Sequence, residues 1–188
     1  MKDLSSHMMD IVQNSIRAEA SWIQIRICED PEADLFLIEI QDNGCGMDEA
    51  TLARVRDPFF TSRTVRKVGL GIPLLQQNAE RTGGKVSIVS QPGQGTTLTA
   101  RFGHSHLDRP PLGDVAETLT LLAANPAIHF SYDHSTPSGT YRFDTQEIIQ
   151  VLEGVPLGHP EILPAIQNLI RENLKEIHAD QSMSIRQS

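Results

Sequence analysis

The sequence predicts an α+β fold: a two-layer α/β sandwich with helices on one face of an antiparallel or mixed sheet, followed by a small C-terminal α+β unit. Three observations predict it. Residues 4–18 place Leu4, Met8, Ile11, Ser15 and Ala18 at three- and four-residue steps, the stripe of an amphipathic helix. The next two segments, 21–28 and 35–41, switch to period two. Ile23, Ile25 and Ile27 alternate with Gln24 and Arg26, and Phe36, Ile38 and Ile40 alternate with Leu35, Leu37 and Glu39. Finally, Pro110 and Pro111 in HSHLDRPPLGD break any regular element there and mark a boundary between the two parts.

The polar link EDPEAD joins the first two strands as a hairpin. After the turn DNGCGM, residues 48–56 read as a short helix, and an arginine-rich, glycine-containing loop runs on to Gly71. Pro73 suits the first turn of a further helix, which carries Leu74, Leu75 and Ala79 and ends at Gly83 and Gly84. Strands 85–90 and 96–102, joined by QPGQG, complete a first unit spanning 1–103. Residues 104–111 read as a linker, 112–178 as the second unit and 179–188 as a flexible polar tail. Within the second unit, 112–125 has helical period, 127–134 and 140–144 flank STPSG as a hairpin, Asp144 with Glu147 starts a helix, and 162–177 forms the last one.

A chain of 188 residues with 39% hydrophobic and 21% charged residues is long enough to bury its own core. Its net charge of -8 argues against nucleic-acid binding, which needs a basic surface. No apolar stretch approaches the roughly 20 residues of a membrane span, and the N-terminus lacks a secretory layout, so a cytoplasmic protein is expected. Two cysteines, Cys28 and Cys45, make no disulfide framework, and both are expected to be reduced. Arg54, Arg56, Arg63, Arg66 and Lys67 crowd around a single acid, Asp57, which suits either a polyphosphate ligand or a solvated basic face.

Four separated segments carry the chemistry. In HMMDIVQNSIRAEA, Asp10 and Asn14 stand four apart and share one face of the helix. Asp42-Asn43-Gly44-Cys45-Gly46-Met47 follows directly on a strand. Asp57-Pro58-Phe59-Phe60-Thr61-Ser62-Arg63 comes third, and Val68-Gly69-Leu70-Gly71-Ile72 lies immediately before a helix, where backbone N–H groups can hold an anion. Gly93, Gly95, Thr96 and Thr97 add a glycine turn at the last hairpin.

These boxes, in this order over residues 4–103, resemble those of the superfamily that includes gyrase, heat-shock chaperone, histidine-kinase and mismatch-repair ATPases. The resemblance implies the Bergerat-type ATP-binding fold, with ATP and Mg²⁺ as cofactors. It places the Mg²⁺ ligand at Asn14 and the general base at Asp10, where the family's ATPases usually carry glutamate. An alternative for Asp10 is a carboxylate that stabilises a helix through its dipole. Arg17 matches a basic residue of the histidine kinases that reaches the phosphates. Asp42 would read the exocyclic amine of adenine while Gly44 and Gly46 let backbone approach the base and Met47 adjoins it. Lys67, Gly69, Leu70 and Gly71 would contact phosphate, and Thr97 could join them.

Only six residues precede His7, so the dimerising hairpin with its phosphoacceptor histidine is not expected. His7 itself reads as a surface or partly packed residue, and His104-Ser105-His106 with Asp108 offers too few ligands for a metal. Two readings remain. One is a kinase-like enzyme or slow ATPase that acts on a partner protein, as the anti-sigma-factor kinases of this superfamily do. The other is a non-hydrolysing, ATP-dependent binding module whose acidic C-terminal part docks a partner. The segment HSHLDRPPLGD is also similar to tails of proteins that accompany NAD-linked iron hydrogenases.

Overall fold

The computed structural model describes residues 3–56 and 71–180. Helix α1 (Leu4–Arg17) opens the chain, with Asp3 as its N-cap accepting from the backbone N–H of Ser6 at 2.8 Å. Strands β1 (Trp22–Asp30) and β2 (Leu35–Asp42) form the expected antiparallel hairpin, and α2 (Glu49–Arg56) follows the glycine turn. Helix α3 (Gly71–Arg81) ends at Gly83, whose φ of +76° is the left-handed conformation that favours glycine. Strands β3 (Lys85–Gln91) and β4 (Gly95–Gly103) then pair antiparallel.

The second half supplies α4 (Val115–Ala123), β5 (His129–Thr136), β6 (Gly139–Asp144), α5 (Thr145–Val151) and α6 (Leu163–Glu176). Asp144 caps α5 as the D-x-x-E spacing predicts, accepting from Gln146 and Glu147. Helix α4 is shorter than the periodicity suggested because Asp114 caps it, accepting from the Glu117 N–H.

All six strands lie in one mixed sheet, ordered β3-β4-β2-β1-β5-β6. Every neighbouring pair is antiparallel except β1 with β5. The sheet therefore does not stop at the boundary expected at 104–111. Strand β5 pairs with β1 from Trp22↔His129 to Cys28↔Ser135, so the hairpin expected in a separate second unit extends the first unit's sheet. The physical reason is that β1 had a second edge to satisfy, and its inward residues Ile23, Ile25 and Ile27 needed cover beyond β2.

The expected linker is likewise held in place. Pro111 and Leu112 accept through their carbonyls from the N–H groups of Leu4 and Ser5, satisfying the first turn of α1, and His104 and Arg109 are buried.

Period-two alternation sets the two faces of the sheet. Inward lie Ile23, Ile25 and Ile27 of β1, Phe36, Ile38 and Ile40 of β2, Leu98, Ala100 and Phe102 of β4, and Phe130 and Tyr132 of β5. Each fully buried aliphatic or aromatic side chain contributes about 1.5–3 kcal/mol. Helix α1 packs against both α3 and α4, and α6 packs on α4. The opposite face is polar and cross-linked between strands: Arg26 donates to Glu39 at 2.7 Å, and Gln24 to Asp133 at 2.8 Å.

Candidate functional site

The helical period of α1 turns Ile11, Asn14, Ser15 and Ala18 toward one cavity of about 730 Å³. Facing them across it are Ile40 and Asp42 of β2, Ile88 of β3, and Thr96 and Leu98 of β4. Met47 and Val55 narrow one side. The walls are apolar apart from a few convergent polar groups, the usual build of a small-molecule site.

Asp42 is the most constrained of those polar groups, and it is 7% exposed. It occupies the inward parity of β2, in line with Phe36, Ile38 and Ile40. Its Oδ2 accepts from the Ser15 hydroxyl at 2.6 Å. Its Oδ1 accepts from the backbone N–H of Gly44 at 2.9 Å and of Thr96 at 3.2 Å. An ionised carboxylate has about four acceptor positions, so capacity remains on a group that lines the cavity.

The glycines of the following turn act differently from the expectation. Gly46 has φ +68°, and a Cβ there would lie 1.9 Å from the Gln91 carbonyl oxygen. A Cβ on Gly44 would lie 2.7 Å from the Ala18 carbonyl oxygen. Their close approach is therefore to protein backbone, locking the turn against α1 and the β3–β4 turn, although Gly46 also lines the cavity. Cys45 N–H donates to Ala18 at 2.8 Å, and Gly93 N–H donates to Cys45 at 2.7 Å, reinforcing the same lock.

Asn14 and Arg17 both line the cavity, and the Arg17 guanidinium donates to Asn14 Oδ1 at 3.1 Å. That amide oxygen is a hard neutral donor. It suits Mg²⁺, which takes few protein ligands and keeps its remaining positions for water and phosphate oxygens.

Asp10, one turn earlier, is not on the cavity wall. Its Oδ2 is buried with no hydrogen-bond partner among the described residues. It lies against the start of α3, where a Cβ on Gly71 would come within 1.8 Å of it. Gly71 thus leaves clearance for a carboxylate at a helix N-terminus, an electrostatically favourable place for it.

Thr97 does not reach the cavity. Leu98, Ala100 and Phe102 face inward, so alternation along β4 turns Thr97 to the other face of the sheet, and Thr96 lines the cavity instead. Lys67, Gly69 and Leu70, together with the box at 57–63, lie outside the described residues. His7, expected as a surface or partly packed residue, is 1% exposed, and its Nε2 lies 3.1 Å from Asn78 Nδ2. Burial holds its pKa below the ordinary value, opposed in part by the Gly71 backbone and Asp10.

A second polar cluster, unforeseen from the sequence, sits at the far end of β1. Glu29, 6% exposed, accepts from the Asp180 N–H at 2.8 Å, and its carboxylate lies 2.8 Å from His134 Nε2 and 3.4 Å from His104 Nε2. The Tyr132 hydroxyl is 2.7 Å from His134 Nδ1. Arg109 donates to Asp180 at 2.9 Å, and its guanidinium lies 4.5 Å from the centre of the Phe36 ring. Burial alone would raise the Glu29 pKa, but the hydrogen bonds from His134 and the Asp180 backbone outweigh it and hold the carboxyl below its ordinary range. The available signal was parity: Glu29 continues the inward series Ile23, Ile25, Ile27. Among the described residues no group of three or more His, Cys, Asp or Glu is arranged to hold a metal ion.

The chain is similar to proteins of a known family. The family described as histidine kinase-, DNA gyrase B- and HSP90-like ATPase matches residues 2–106. Sensor protein kinase FleS of Pseudomonas aeruginosa is 36% identical over 92 residues, 49% of this chain and 23% of that protein. Signal transduction histidine-protein kinase AtoS of Escherichia coli is 34% identical over 97 residues, 51% of this chain and 16% of that protein. The chain therefore spans less than a quarter of the length of these relatives. The crystal structure of the N-terminal domain of a DNA repair protein superposes with a TM-score of 0.51 at 20% identity, covering 77% of this chain and 52% of that one, a likeness of fold alone. No helix among the described residues is long and apolar enough to cross a membrane.

Proposed function

Because the chain belongs to the histidine kinase-, DNA gyrase B- and HSP90-like ATPase family, we propose that the α1–β2–β4 cavity binds Mg-ATP and that the protein acts on a partner protein as a kinase-like enzyme or slow ATPase. The observation that carries the reading is the buried Asp42 carboxylate on the wall of an otherwise apolar cavity, with Asn14 and Arg17 beside it on α1. An acceptor among apolar walls matches a flat heterocycle with one exocyclic amine. Asn14 would hold the metal through Oδ1, and Arg17 would turn from Asn14 to the phosphates. Bound Mg²⁺ supplies charge neutralisation for the polyphosphate.

Asp10 would offer a proton-accepting carboxylate one turn from Asn14, and its buried Oδ2, without a hydrogen-bond partner among the described residues, is a ready acceptor for a water molecule. Phosphoryl transfer depends mainly on positioning and charge stabilisation, so transfer to a protein side chain makes smaller demands on that base than hydrolysis does. A second reading, binding without hydrolysis, is favoured by the position of Asp10 against Gly71 and away from the cavity wall. The relatives described above give no support to an association with a hydrogenase.

Calorimetry with Mg-ATP tests the central claim. Asp42→Asn should weaken ATP binding by about 1–3 kcal/mol, because the amide NH₂ would face another donor. Unchanged affinity in that variant would remove the adenine assignment. Incubation with γ-labelled ATP and candidate partners then separates transfer from binding alone, since only a kinase leaves label on protein.

A further inference from the structure

We propose that Ser15 is the positioning residue for adenine selectivity, holding the Asp42 carboxylate as a fixed acceptor. The assignment rests on the ATP reading above and extends it to the residue that follows Asn14 on α1.

Ser15 and Asp42 are 4% and 7% exposed, and both line the cavity. Their bond, from hydroxyl to carboxylate oxygen at 2.6 Å, is short and charge-assisted. The other two donors to Asp42, the N–H groups of Gly44 and Thr96, both reach Oδ1 and both belong to the backbone. Ser15 is therefore the one side-chain donor to Asp42 among the described residues, and it alone pins Oδ2.

The terminal torsion of an aspartate is soft, so two donors on one oxygen leave the carboxylate free to swing about that anchor. A donor on the second oxygen removes this freedom. Selectivity follows from the fixed plane. Adenine presents an amine donor where guanine presents a carbonyl oxygen. A carboxylate that cannot rotate opposes the guanine oxygen, whereas one that can rotate withdraws from it and also loses its alignment with the adenine amine.

The test measures ATP and GTP affinity by calorimetry, with Mg²⁺, on the parent protein, Ser15→Ala and Ser15→Thr, after thermal melting has shown each to be folded. Ser15→Ala should bind ATP about tenfold more weakly, with GTP affinity unchanged or raised as the carboxylate withdraws, so the ATP-to-GTP preference falls by about tenfold or more. Ser15→Thr keeps the hydroxyl on the same Cβ and should restore the preference. A structural role alone would weaken both nucleotides together, and that outcome overturns the assignment, as does an unchanged preference in Ser15→Ala. A parent protein that binds both nucleotides equally overturns the adenine reading of Asp42 itself, and the role of Ser15 with it.

Discussion

Single residues on α1 face two different places. Asn14 and Ser15 face the cavity while Asp10 points to the start of α3, and under the proposed function the 3.6-residue period would let one helix serve binding and base chemistry separately. Aspartate is one methylene, about 1.5 Å, shorter than the glutamate usual at this position in the family's ATPases, and turnover is expected to be slow. Asp10→Glu should raise ATP hydrolysis with little change in ATP affinity, while Asp10→Asn should abolish hydrolysis and leave binding intact. Turnover in Asp10→Asn equal to that of the parent would make Asp10 a dipole-stabilising carboxylate at the α3 terminus rather than a base. The spacing of Asp10 and Asn14 on one helix, and the place of Ser15 in its buried stripe, were legible in the sequence. Their division was not, because it depends on where α3 and β2 lie around α1.

At the scale of elements, one wall of the cavity depends on two turns packed backbone to backbone. Gly46 has φ +68° and a Cβ there would meet the Gln91 carbonyl at 1.9 Å, whereas Gly93 has φ +75° with nothing within 4 Å of its Cβ position. The pair separates conformational strain from close approach. Gly93→Ala carries only the left-handed penalty, about 1–2 kcal/mol. Gly46→Ala adds the clash between turns and should cost about 2–3 kcal/mol, with Mg-ATP affinity falling as the cavity wall shifts. Urea unfolding of both variants checks this, and equal losses would show that the packing of the two turns contributes nothing. Strand parity explains why Thr97, offered from the sequence as a phosphate contact, does not line the cavity. Thr96 and Thr97 are equivalent in composition, and only the facing direction of β4 decides that Thr96 reaches the cavity.

Across the whole molecule, Glu29 joins β1 and β5 to the 104–112 segment and the C-terminal turn at Asp180. Its folded-state pKa is depressed, so its contribution to stability is present above the ordinary glutamate range and is lost as pH falls through the lower folded value. His134 and His104 face its carboxylate, Tyr132 stands behind His134, and Arg109 holds Asp180 beside it. Glu29→Gln should therefore be less stable than the parent at pH 7, and the deficit should shrink as the solution is acidified below the glutamate range. Denaturant melts across that range measure it, and a deficit that stays constant down to pH 3 would rule out an ionised Glu29 as the source of the effect.

The sequence by itself determined the helix and strand periods of the first 103 residues, the helix cap at Asp144, and the ATPase family through motifs whose order survives in the chain. These are local or ordered properties, written in spacing and residue type. Only the tertiary structure decided that β5 lies parallel to β1 and makes one sheet of the two halves, because strand pairing across about a hundred residues leaves no mark on local periodicity. It also decided that Ser15 meets Asp42, and Glu29 meets His134 and Asp180. A buried charge is tolerable only where distant donors converge on it, and that convergence exists only once the sheet and its helices have packed.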